Sequence, residues 1–140
     1  MTTMLIVDDM NDDRQEMVNL VREFYSPVEL DILERRSREG VTDVVNSGVV
    51  LQCAIVDLKI SEMESNKDRI SSTEHGLWAL MTLVRPTFPA TRIMMLTDHP
   101  AHAEKVVAAE PKLMGVDIVD KSLPELRRKE IIRKFLRAMI

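Results

Sequence analysis

CAIVDLK, residues 53–59, begins with four apolar residues and stops on a carboxylate. A strand that is apolar at every position is covered on both faces, which is typical of a parallel sheet with helices above and below. Packing accounts for Cys53, Ala54, Ile55 and Val56. It does not account for Asp57, or for the cation Lys59 two positions later. Taken alone, Asp57 reads equally well as a turn residue or as a group that the strand exists to hold in place.

Outward from this stretch, four more short apolar runs punctuate the chain: MLIV (4–7, ended by Asp8-Asp9), VELDIL (28–33), IMML (93–96) and VDIV (116–119). Between and after them apolar residues recur at helical spacing. Met17, Leu20, Val21 and Phe24 form one such face, Val41, Val44 and Val45 a second, and Leu77, Leu80, Met81 and Val84 a third. A weaker pattern runs from Ala103 to Ala109, and Ile132, Phe135, Leu136 and Met139 close the series. Strands alternating with helices predict an α/β fold: a parallel five-stranded sheet with right-handed crossovers and helices on both faces. The first, third and fourth runs are continuously apolar. The second and fifth interleave Glu29, Asp31 and Asp117, as half-exposed edge strands do. Edges at those two positions give the flavodoxin-like order 2-1-3-4-5, in which ligands bind beyond the carboxyl ends of strands one and three. Asp8-Asp9 ends the first of these and Asp57 ends the other.

The chain's 140 residues suit one domain spanning 1–140, with no output domain expected in the chain. With 45% hydrophobic and 30% charged residues, wholesale disorder is excluded. A net charge of −4 argues against nucleic acid as a partner. The basic run RRKEIIRK (127–134) reads first as a solvated face that complements the dipole of the last helix, and second as part of a partner-docking surface. The single cysteine, Cys53, lies inside an apolar run and reads as a buried thiol in a reducing compartment. No apolar stretch approaches the length of a membrane span, and no signal peptide is evident, so a cytoplasmic protein without membrane contact is expected.

Several local features have plain structural readings. Asn11, Asp12 and Asp13 are expected to cap the first helix. Glu74, His75 and Trp78 begin the third helix, with a cap and a partly buried indole. His99 and His102 flank Pro100 without a further His or Cys nearby, which suits an exposed turn better than a metal pair. The ten methionines read as core filler. One segment is odd: a polar loop of about residues 58–75 separates the third strand from its helix, and loops of that length in a compact domain are functional or mobile.

Three carboxylates on one rim repel each other and call for a counter-charge. Asp8, Asp9 and Asp57 offer the hard oxygen ligands that Mg²⁺ prefers. Thr97 ends the fourth strand with a hydroxyl, and Lys121 follows the fifth with an ammonium. A carboxylate to be attacked, carboxylates for a metal, a hydroxyl and a lysine together make a phosphoryl-transfer site.

Asp8-Asp9 after LIV, Asp57 after AIV, Thr97 after IMML and Lys121 after DIVD resemble the receiver domains of two-component response regulators, over essentially the whole chain. The resemblance implies a (βα)5 receiver fold with Asp57 as phosphoacceptor. It implies that Asp9, Asp57 and the main-chain carbonyl of Lys59 bind Mg²⁺ directly and that Asp8 acts mostly through water. Thr97 and Lys121 would each contact a phosphoryl oxygen. The donor would be a phosphohistidine on a histidine kinase or a histidine phosphotransfer protein. The output would be a downstream partner or a homodimer formed through the fourth helix, fifth strand and last helix. Such a protein is a signalling switch that catalyses only its own phosphorylation and dephosphorylation.

The departures are local. Lys59-Ile60-Ser61 replaces the usual Met-Pro, and Gly76 comes late, as if the third loop carried an insertion. Proline follows Lys121 only at Pro124, Asp98 stands where a small residue is usual, and Ile118 occupies the aromatic switch position. Lys59 and His99 are placed to tune dephosphorylation. These departures support a second reading, a receiver-like interaction module that works without phosphorylation. A third reading is an aspartyl-nucleophile phosphohydrolase of the haloacid-dehalogenase kind, against which Lys59 stands where a second Asp is wanted.

Overall fold

Successive residues of an extended strand point to opposite faces, so an all-apolar strand must feed two cores at once. The computed structural model, which describes residues 2–65, 71–84, 92–113 and 115–138, has both cores. In chain order its elements are β1 (Thr2–Val7), α1 (Asn11–Arg22), β2 (Leu30–Arg35), α2 (Arg38–Asn46), β3 (Cys53–Asp57), β4 (Ile60–Ser61), β5 (Ser71–Ser72), α3 (Thr73–Leu83), β6 (Arg92–Thr97), α4 (Pro100–Ala109), β7 (Asp117–Asp120) and α5 (Glu125–Arg137). The main sheet runs β2-β1-β3-β6-β7, every pair parallel. With the β4–β5 ribbon set aside, this is the expected order 2-1-3-4-5.

Residues alternate between the two cores as the pleat requires. Leu5, Val7, Ala54, Val56, Ile93 and Met95 face α2, α3 and α4, meeting Val41, Val44, Leu80, Leu83 and Ala103. Met4, Ile6, Cys53, Ile55, Met94 and Leu96 face α1 and α5, meeting Met17, Leu20, Val21, Ile132, Phe135 and Leu136. Met139, expected on the same face of α5, lies outside the described residues. Cys53 is fully buried and unpaired, and burial pushes its thiol up to about 12. No helix among the described residues is long and apolar enough to cross a membrane.

Four local expectations are corrected. The edge strand begins at Leu30 rather than Val28, because the N–H groups of Glu29 and Leu30 both turn back to the Ser26 carbonyl and leave Val28 exposed. The N-cap of α1 is Met10, with no side-chain cap; Asn11, Asp12 and Asp13 fall inside the first turn. Ser72, not Glu74, caps α3 by accepting the Glu74 N–H. Trp78 is half-buried as expected, with the Arg38 guanidinium 4.3 Å from its ring centre. Finally, α3 buries Gly76, Ala79, Leu80 and Leu83, while Leu77, Met81 and Val84 are only partly covered. Gly76 fixes this rotation, because a Cβ there would stand 1.7 Å from the Leu58 carbonyl oxygen. The helix can press on the chain just past Asp57 only through a residue without a side chain.

The basic run on α5 is a paired face. Arg128 meets Glu16 on α1 at 3.0 Å, Arg133 meets Glu23 at the C-cap of α1 at 3.3 Å, and Lys129 meets Glu125 at 3.0 Å along the helix. His99 and His102 are exposed at the start of α4. The peptide bond before Pro124 is trans.

Candidate functional site

The register of the central strands brings the acidic residues together. Val7 pairs with Val56, so Asp8 and Asp57 leave neighbouring strands side by side at the carboxyl edge. Both are buried, at 3% and 4% exposure, although each carries a carboxyl group. Each carboxyl group is aimed by a backbone amide two residues ahead. Asp8 Oδ1 accepts the Met10 N–H at 3.0 Å, and Asp57 Oδ1 accepts the Lys59 N–H at 3.1 Å. Asp9 is half-buried beside them, and oxygens of Asp8, Asp9 and Asp57 lie within 4.8 Å of one another.

Lys121 reaches this cluster because the β6–β7 ladder continues one step beyond the strands: its N–H donates to the Thr97 carbonyl at 2.8 Å. The turn after it is drawn tight by Asp120, whose carboxylate accepts the N–H and hydroxyl of Ser122 and is thereby held below the usual carboxylate range. The Lys121 ammonium stands 2.9 Å from Asp57 Oδ2, 3.2 Å from Asp13 Oδ2 and 3.6 Å from Asp8 Oδ2. Thr97 is buried at the end of β6, and its Oγ1 accepts the His99 N–H at 2.9 Å, which leaves the hydroxyl proton to be donated elsewhere. Asp57, Lys59, Thr97, Asp98 and Lys121 line a shared cavity of about 240 Å³.

One ammonium does not balance this much negative charge. Burial, followed by repulsion from Asp57, raises the Asp8 carboxyl to about 7. Burial also raises Asp57, against the pull of Lys121. Burial opposes the Lys121 ammonium, yet Asp8, Asp57 and Asp13 hold it above the ordinary lysine range. A cluster of hard oxygens with surplus negative charge fits a divalent cation of the Mg²⁺ type. The chemistry open to such a site is attack by a buried carboxylate on an electrophile whose charge Lys121 and a cation offset.

Asp8, Asp9, Asp57, Thr97 and Lys121 therefore converge as their positions at strand ends predicted, and Lys59 opens the loop beside them. Two residues of the site escaped the sequence reading. Asp13 reads from the sequence as a cap of α1 and instead holds Lys121, a role that no spacing in the sequence marks. Ser71 comes back from the inserted loop to donate its hydroxyl to Asp9 Oδ2, and nothing in the sequence marks it. Ile118 is half-buried on β7, packed against the core under α2, α3 and α4.

No family model matches the sequence, and no curated protein matches it either. Solved structures do resemble the chain. A response regulator receiver protein from Sinorhizobium medicae is 14% identical with a TM-score of 0.68, over 99% of this chain and 97% of that one. A response regulator receiver domain protein from Clostridium thermocellum is 16% identical with a TM-score of 0.64, over 99% and 96%. The response regulator domain of Thermotoga maritima CheB is 14% identical with a TM-score of 0.64, over 99% and 92%. At such identities the likeness is one of fold: the chain has the architecture of a response regulator receiver domain, from end to end.

Proposed function

We propose that the protein is a phosphorylation-switched receiver, taking a phosphoryl group from a phosphohistidine donor onto Asp57. The observation that carries this reading is the contact of a buried, strand-end Asp57 with Lys121 at 2.9 Å, inside an oxygen cluster that has room for a cation. A carboxylate oxygen of Asp57 attacks phosphorus, and the P–N bond to the donor imidazole breaks. The electron pair leaves with that nitrogen, which is protonated as it departs. Lys121 offsets charge on one phosphoryl oxygen and the Thr97 hydroxyl donates to another. Asp9 and Asp57, with the main-chain carbonyl of Lys59, would hold Mg²⁺, and Asp8 would act mostly through bound water. When bound, the ion neutralises the cluster and draws charge from the transferring group. Hydrolysis at phosphorus later returns the Asp57 carboxylate and resets the switch.

The kinase or phosphotransfer protein would dock at this carboxyl edge, and the changed contacts would spread through α4, β7 and α5 to a partner protein or a second copy. Asp98, exposed on the rim of the same cavity, favours a second reading, an interaction module that works unphosphorylated. The experiment that tests the first reading is incubation with acetyl phosphate and Mg²⁺ followed by intact-mass measurement. A gain of one phosphate that disappears in Asp57→Ala is expected, and no gain at any donor concentration rejects it. Partner binding retained by Asp57→Ala would favour the second.

A further inference from the structure

The insertion after β3 is docked at one end and delivers a hydroxyl at the other. At the docked end, the Glu64 carboxylate accepts the Arg36 N–H at 3.0 Å and the Ser37 hydroxyl at 2.7 Å. The Glu62 carbonyl accepts the Glu39 N–H at 2.9 Å, so the start of α2 holds the loop at several points. Ser61 is fully buried and bridges in parallel to Ser37, just past β2. In the sheet β1 lies between β2 and β3, so this bridge crosses over the carboxyl end of β1, where Asp8 and Asp9 emerge. Ser71 pairs with Ser61 across the β4–β5 ribbon, and its hydroxyl donates to Asp9 Oδ2.

We infer that Ser71 is a positioning residue for the Asp9 carboxylate, supplied by the inserted ribbon and held there by its docking on α2. This rests on the reading of the acidic cluster as an Mg²⁺ site. Asp8 and Asp57 have their carboxylates aimed by backbone amides of their own turns, so those contacts form whenever the strands do. Asp9 takes its contact from a side chain 62 positions away. A hydroxyl held on Oδ2 fixes the side-chain rotamer and leaves Oδ1 to face a cation. Outer partners of this kind orient metal ligands, and their removal weakens metal binding substantially. Replacing serine with alanine changes no formal charge, so a loss of affinity confined to that variant reports the missing hydroxyl.

The test is calorimetric titration of MgCl₂ into the full chain and into Ser71→Ala and Ser71→Thr, at one pH and ionic strength. The dissociation constant is expected to rise about tenfold in Ser71→Ala and to stay near the wild-type value in Ser71→Thr, which keeps the hydroxyl. Unchanged affinity in Ser71→Ala overturns the assignment and leaves the acidic site standing. Equal losses in both variants also overturn it, because a lost hydroxyl would not then be the cause. Absence of Mg²⁺ binding by the wild-type chain overturns this inference and the metal reading together.

Discussion

Asp8 is the residue at which the energetics of the site can be measured. Its carboxyl is buried, faces Asp57, and is raised from 3.8 to about 7. The folded chain keeps that proton where the unfolded chain has already released it. Between about pH 4 and about pH 7 the metal-free protein therefore loses stability as the pH rises, and the slope flattens above that range. Asp57, also raised, acts in the same direction. Lys121 is protonated throughout this window and contributes no slope there. Chemical denaturation in EDTA at about pH 5.5 and about pH 7.5 should show the lower midpoint at the higher pH; a higher midpoint there would mean that the cluster is already neutralised. The acidic trio, Thr97 and Lys121 were legible in the sequence because each ends an apolar run, so finding the strands finds them too. Asp13 and Ser71 were not, since their roles depend on where α1 and the inserted ribbon lie in space.

Among the elements, α3 shows how one backbone contact sets a packing angle. Its sequence is apolar almost all round, so periodicity does not identify the buried face or mark Leu83 as part of it. Gly76 decides it by lying against the Leu58 carbonyl. Gly76→Ala should destabilise the protein by about 3 kcal/mol, at the upper end for overpacking, because the obstacle is backbone and not a flexible side-chain tip. A denaturation midpoint equal to wild type would show that α3 shifts away without cost. The start of β2 departs from its sequence pattern for a different reason. Val28 has high strand propensity, but the turn bonds back to Ser26 remove it from the ladder. Local turn hydrogen bonding overrides propensity at that position.

For the whole molecule, topology follows from two kinds of strand. Continuous apolar runs fill the middle, charge-interleaved runs lie at the edges, and the reversal of strand order places the carboxylates at one crevice. That much could be read without coordinates. The β4–β5 ribbon could not: two-residue strands of Ile60-Ser61 and Ser71-Ser72 carry no periodic signal, and what fixes them is docking on α2. The polar loop expected to be mobile or functional is thus held through Glu64 at the start of α2 and contacts Asp9 through Ser71. The fold is therefore that of a receiver, with the β4–β5 ribbon beside the acidic end of β1. A phosphorylation-switched receiver requires that Asp57 itself carry the phosphoryl group. Its most direct test is to treat the protein with acetyl phosphate and Mg²⁺, reduce it with borohydride, which converts an aspartyl phosphate to homoserine, and map the peptides by mass. Conversion at Asp57 alone is predicted; conversion at another aspartate, or at none, would contradict it.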